Sequence, residues 1–175
     1  MPSDDIHAIL IDFFNYQWKF RDFLTEDDMR CRLYSFLWER MRDDNKSIHS
    51  EIRWYGNDIP DGNKNLKYRS DIVILDNEDL IDVDSLNFKL PSKGFSFGKY
   101  YYVIELKLRR LNNTDSDNSY DEIIQQDINK LEEVKSRTER IDNYDRKYCE
   151  IVFDKKRARK AIIINNNFEW IDWEQ

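Results

Sequence analysis

"YYVIELKLRR", residues 101–110, sets a carboxylate and an ammonium into the middle of a strand-like run. Tyr101 to Leu106 is rich in β-branched and aromatic residues, the composition of a strand buried on at least one face. Burying Glu105 or Lys107 is costly unless each is paired, hydrogen-bonded or bound to a metal. Side chains alternate along a strand, so Glu105 and Lys107 share one face while Ile104 and Leu106 take the other. A solvated edge strand with a lysine that blocks aggregation is the plainer reading; the apolar "YYVI" and a second apolar segment, "DIVIL" (71–75), argue for a central strand. That second segment opens on an acid. If the two strands are neighbours, Asp71 and Glu105 meet, and two carboxylates beside one ammonium make a hard-oxygen site suited to Mg²⁺ or Mn²⁺.

Working outward, "DDIHAILIDFFNYQWKF" (4–20) spaces Ile6, Leu10, Phe13 and Phe14 as on a helix, with Ser3 as its N-cap. Thr25 opens "TEDDMRCRLYSFLWERM", where Thr-x-x-Asp resembles a capping box and Met29, Leu33, Phe36, Leu37 and Met41 form an apolar stripe. Strands are expected at 47–55, 68–76 and 99–108. The turn-rich "GNDIPDGNKN" (56–65) reads as a loop or hairpin tip, and the stretch with "LPSKGFSFG" as a further hairpin or flap. "NNTDSDNS" (112–119) is the most disorder-like segment and predicts a mobile loop. A helix follows over 120–137, burying Ile124, Ile128 and Leu131. "AIIIN" (161–165) reads as the last strand, and "FEWIDWEQ" adds an edge strand or short helix.

Composition fits one domain, 1–175: the chain has 175 residues, 40% of them hydrophobic, enough for a single core. No apolar run is long enough to span a membrane. Acidic residues stand where a secretion signal has basic ones, and Cys31 and Cys149 lack any metal-ligand spacing. Both thiols read as small core residues in a cytoplasmic protein. A net charge of −7 disfavours coating nucleic acid by bulk charge, though it leaves room for a local basic groove. GxxxxGK[ST] and GxGxxG motifs are missing, which removes the phosphate-cradling nucleotide loops. With His7 and His49 as the only histidines, chemistry falls to carboxylates and lysine. The concentrated positive charge lies in "KLRR" (107–110) and "KKRARK" (155–160). Arg109, Arg110, Lys155, Lys156, Arg157, Arg159 and Lys160 are therefore candidates for contact with a nucleic-acid backbone, against an ordinary solvated turn.

An acid opening a hydrophobic strand, "SD(71)IVIL", followed by a hydrophobic strand ending Glu-x-Lys, "VIE(105)LK(107)", resembles the PD-(D/E)XK, or restriction-endonuclease-like, nuclease superfamily. Many members carry an acid on a helix before the first strand, and "TE(26)DDMRCRLYSFL" is similar to that segment. Members also place a Gln or Lys near the site from the helix after the third strand, and "IIQQDINKLEEV" is similar to it. Ser70 stands where the pattern has proline. The resemblance covers about residues 25–165 and implies an α/β (α+β) three-layer core with a mixed central sheet flanked by helices.

The resemblance further implies that Asp71, Glu105 and the Leu106 carbonyl hold Mg²⁺, for which Mn²⁺ substitutes. Glu26 would reach the ion directly or through water, and Glu51 is the other candidate for the third acid. Gln125 or Gln126 would approach from the helix. Lys107 would orient or help deprotonate the attacking water. The implied activity is Mg²⁺-dependent phosphodiester hydrolysis, on DNA by default, with an endonuclease ahead of an exonuclease. Partners would be nucleic acid, and a homodimer or a partner protein is compatible. The alternative is a member that binds nucleic acid or protein without cleaving.

Overall fold

The computed structural model of the chain describes residues 3–19, 22–41, 46–55, 66–76, 94–95, 100–139, 147–164 and 169–172. Among these, helices run over Ser3–Asn15 (α1), Glu26–Met41 (α2) and Asp117–Glu139 (α3). Strands run over Lys46–Tyr55 (β1), Leu66–Asp76 (β2), Gly94–Phe95 (β3), Tyr100–Arg109 (β4), Lys147–Asp154 (β5), Arg159–Ile164 (β6) and Ile171–Asp172 (β7). They form one mixed sheet in the order β3-β1-β2-β4-β5-β6-β7. The expected turn at 56–65 and most of the expected hairpin or flap lie outside the described residues. No described helix is long and apolar enough to cross a membrane.

Local chemistry explains the ends. Thr25 caps α2 as its sequence predicts, its Oγ1 accepting from the Asp28 amide at 3.0 Å. Met29, Leu33, Leu37 and Met41 then point inward. β4 pairs antiparallel with β2 and parallel with β5, and α3 supplies the long connection that a parallel pair requires. The even-numbered face of β4 (Tyr102, Ile104, Leu106, Leu108) packs with α1 and α2 in the main core. On the opposite face, Val73, Leu75, Val103 and Tyr148 pack with Leu131 and Val134 of α3, and Tyr120, Ile124 and Ile128 pack with Val152, Ala161 and Ile163. The architecture is thus α+β in three layers.

Three expectations change. The sequence reading assigns the strand after the long helix to 161–165. The structure inserts β5 before it, buried along nearly its whole length, and pairs it with β4. "YCEIVFD" was unreadable as a strand because Glu150 and Asp154 fall where an apolar face was needed. The expected mobile loop after β4 is instead pinned: Lys156 Nζ donates to the carbonyls of Asn113 and Asp115 at 3.0 and 2.9 Å, and Arg109 Nη2 to that of Asp115 at 2.6 Å. Cys31, expected in the core, is exposed, while Cys149 is buried.

Candidate active site at the splayed end of β2 and β4

The β2–β4 ladder runs from Leu75↔Tyr100 to Ile72↔Ile104 and stops. Beyond it β2 continues beside β1, whereas β4 continues beside β5. Carboxylates replace the missing strand partner. Asp71 Oδ2 accepts from the Leu106 amide at 2.8 Å, and Glu26 Oε1, from the first turn of α2, accepts from the Leu108 amide at 3.2 Å. The N–H and C=O of one strand residue point the same way, so the Leu106 carbonyl opens into the same gap. Glu105 and Lys107 project from the α3 face, as their spacing predicts.

Each charge has found a partner other than the expected one. Lys107 does not bridge Asp71 and Glu105; its Nζ lies 2.7 Å from Asp127 Oδ2 on α3. Glu105 Oε2 takes Lys130 Nζ at 2.8 Å, and the same ammonium donates to the Arg69 carbonyl at 3.1 Å. Asp127 and Lys130, one turn apart on α3, are 3.6 Å from each other and reach down onto the strand charges. Arg30 Nη1 lies 2.6 Å from Glu51 Oε1 and 3.3 Å from Asp71 Oδ1, and Arg30 also pairs with Asp27. Glu51 sits in mid-strand with φ at 59°, a left-handed conformation that costs a non-glycine residue about 1 kcal/mol or more. The kink turns its carboxylate toward the guanidinium that it shares with Asp71. Glu26 thus lies at the Lys107 end of the gap and Glu51 at the Arg30 end. Gln125 and Gln126 are both exposed, and Gln125 bonds Asn129, so neither enters the site.

Burial dominates the electrostatics. It raises Asp71 against the lowering pull of the Leu106 amide and Arg30. It pushes Glu105 up to about 8 despite Lys130. Burial lowers Lys107, but Asp127 and then Glu26 and Glu150 outweigh it, so the ammonium is held above its ordinary value and stays charged. Glu150, on β5 directly beside Glu105, is pushed by burial up to about 9. A carboxyl with a raised pKa keeps a proton in the folded chain that the unfolded chain releases above 4.5. Between that point and pH 8–9 the folded state holds more protons, so stability falls as pH rises. The limiting slope is about 1.4 kcal/mol per pH unit for each group. Metal-free protein is therefore expected to melt at a lower temperature at pH 8 than at pH 5. Glu150→Gln should flatten that dependence in the same calorimetric series.

The basic residues proposed for the nucleic-acid backbone are mostly engaged inside the protein. Arg109 has no exposed surface; its Nη1 lies 2.8 Å from Asp117 Oδ1 and 3.3 Å from Asp154 Oδ2, itself fully buried. It cannot be a surface phosphate contact, a correction to the sequence reading. Arg159 Nε holds Asp154 at 2.9 Å, Arg157 pairs with Asp117, and Lys160 donates to the Phe14 carbonyl at 2.7 Å. Lys155 is buried, and Arg110 remains exposed. Sequence could not show this, because the pairings cross between segments: Arg109 reaches Asp154, and Arg157 reaches Asp117. Arg109→Met removes the guanidinium from a buried carboxylate and is expected to cost about 3–5 kcal/mol in urea unfolding.

Arg30, Asp127, Lys130 and Glu150 are the members of the site that sequence reasoning did not assign to it. The first three reach it from helices whose packing is not revealed by spacing alone, and Glu150 lies on the unread strand. Comparison with known proteins finds no matching family model, no matching curated protein and no matching solved structure.

Proposed function

We propose that this chain is a metal-dependent phosphodiesterase acting on nucleic acid, with DNA the favoured substrate and the gap between β2 and β4 as its site. The observation that carries the reading is the end of the ladder at Ile72–Ile104. It leaves the Leu106 backbone beside Asp71, next to a Glu105 whose Oε1 is buried without a hydrogen-bond partner. That unpartnered acceptor and an all-oxygen donor set fit a hard divalent ion. Asp71, Glu105 and the Leu106 carbonyl would hold Mg²⁺ or Mn²⁺, with Glu26 or Glu51 as third acid. Among the described residues no three acidic, histidine or cysteine groups already form a cage; Arg30 and Lys130 hold the two main ligands instead. Such an ion supplies charge neutralisation at the phosphate and acidifies a water.

The chain's own residues do the rest. Arg30 and Lys130 keep two crowded carboxylates neutralised and oriented until they are exchanged. Asp127 fixes the Lys107 ammonium at the mouth of the gap, where it would orient the attacking water and stabilise charge developing on the phosphate. The order α2–β1–β2–β3–β4–α3–β5, with β3 only two residues long and β4 and β5 parallel, supports the restriction-endonuclease-like resemblance. One observation favours the second reading, a non-cleaving binding module: the same cations stand where an ion would sit. Nicking of supercoiled plasmid and cutting of labelled oligonucleotides, with Mg²⁺, Mn²⁺ or EDTA, separate the two. Metal-dependent cleavage is expected; oligonucleotide binding without cleavage in any metal would sink the enzyme reading.

A further inference from the structure

Across α2 from the gap, the end of α1 and the far flank of α2 enclose a cavity of about 440 Å³ that opens to solvent. Arg30 faces the gap, whereas Arg32, two residues on and so about 200° round the helix, faces the cavity. Its walls are aromatic. Tyr16 packs against Trp18 with ring centroids 4.7 Å apart and meets Phe36 edge-on at 6.2 Å. The Trp18 ring is fixed by its Nε1, which donates to the Phe13 carbonyl at 2.8 Å. Tyr16 nevertheless keeps 54% of its surface exposed. Two arginines lie over these rings: Arg32 Cζ is 5.5 Å from the Trp18 centroid, and Arg40 Cζ is 3.4 Å from that of Phe36. Arg32 is committed to Asp28, whose Oδ1 lies 3.1 Å from its Nε. Arg40 is exposed and has no carboxylate partner among the described residues; its Nη1 donates to the Phe36 carbonyl at 3.4 Å. Glu39 is the one carboxylate among the residues that line the cavity.

We infer that this cavity holds an unpaired nucleotide of a single-stranded nucleic acid, its base against Tyr16 and Trp18 and its phosphate on Arg40. The inference rests on the nucleic-acid reading given above and deepens it by naming an unpaired strand as the substrate class. The volume lies in the range of small-ligand sites. Rings fixed by their neighbours stack on a base with little left to order, and every base offers the face they need. A base inside a duplex has both faces covered by its neighbours, so an aromatic wall selects the unpaired strand. Arg40 supplies a cation for the phosphate on a chain whose net charge is −7. Glu39, next to it, confines the anion to the Arg40 side. A proline-rich peptide also suits an aromatic wall, but it leaves that cation without an anion. The cavity and the gap lie on opposite flanks of one helix about 10 Å thick, a separation that a few nucleotides of extended strand cross.

The test is fluorescence anisotropy of a labelled oligodeoxythymidylate, and of a duplex of the same length, with the full chain in EDTA, where cleavage does not interfere. The wild type is expected to bind the single strand more tightly than the duplex. Tyr16→Leu keeps apolar cover over Phe36 but removes a stacking face, and should weaken single-strand binding about tenfold. Arg40→Gln should weaken it similarly and reduce the slope of log affinity against log salt by about 0.7, the signature of one lost phosphate contact. Both side chains are exposed, and equal melting temperatures check that the variants fold. No single-strand binding by the wild type, or unchanged affinity in both variants, overturns the cavity and leaves metal-dependent cleavage to its own assay. Equal losses for single strand and duplex overturn the stacked base. Binding of a proline-rich peptide without binding of the oligonucleotide gives the cavity to a peptide, and a dimer that Tyr16→Leu dissociates gives it to a second copy; either overturns the proposal. Single-strand binding that both variants lose, in a chain that cleaves nothing with Mg²⁺ or Mn²⁺, upholds the cavity and removes only the enzyme reading.

Discussion

Glu105→Ala and Asp71→Ala are each expected to lose metal-dependent cleavage entirely while the chain remains folded. The two acids fail for different reasons. Asp71 occupies the Leu106 amide and, as proposed, would offer an oxygen to the ion, so its removal opens the β4 backbone as well as the proposed ligand set. Glu105 is a buried carboxyl whose negative form is disfavoured by burial. Replacing it with alanine deletes a group that the fold tolerates only in exchange for Lys130, and relieves the protonation cost at neutral pH. The Lys130 ammonium keeps Asp127 and the Arg69 carbonyl as partners. Metal-free Glu105→Ala should therefore melt near the wild-type temperature at pH 8, not many degrees below it. Added Mg²⁺ should raise the midpoint of the wild type and leave the variant unmoved. Full cleavage by either variant would place the chemistry elsewhere.

How much of this was legible beforehand follows from which contacts are local. The β4 strand, the shared face of Glu105 and Lys107, and Asp71 opening its neighbour came from period-two alternation, which depends on nothing distant. The Thr25 cap and the stripe of Met29, Leu33 and Leu37 came from spacing within one helix. The partners of the charges did not. Lys107 could be predicted to need an anion, but the anion is on α3, and only the packing of that helix over β4 selects Asp127 above Asp71. Glu150 stayed hidden for a related reason. An acid inside "YCEIVF" breaks the apolar pattern by which a buried strand is recognised, and the break is itself the feature that makes the position chemically interesting. The basic run at 155–160 shows the converse. Its composition suggested a phosphate-binding surface, yet Asp154 and Asp117 draw Arg109, Arg157 and Arg159 into a clasp between the β5–β6 turn and the start of α3.

Lys107→Met should retain the bound divalent ion and lose about 100-fold or more of the cleavage rate, in the range of a positioned acid–base or electrostatic group. The carboxylates of Asp71 and Glu105 pair with Arg30 and Lys130, not with this ammonium. Metal affinity should accordingly change little, and the loss should fall on kcat. The ammonium is held charged by Asp127, then by Glu26 and Glu150, against the opposing effect of burial. In the proposed reaction it would therefore act as a fixed positive charge near the phosphate. Lys107→Arg should fail as well, because a planar guanidinium cannot reproduce the compact point charge that Asp127 holds in place. Asp127→Asn completes the argument. It frees Lys107 from its anchor without touching a proposed ligand, so it should lower the rate by less than Lys107→Met while leaving metal binding in place. Single-turnover cleavage of labelled DNA at matched metal occupancy measures all three, and near-native turnover by the Met variant would make Lys107 an ordinary strand lysine paired to a helix.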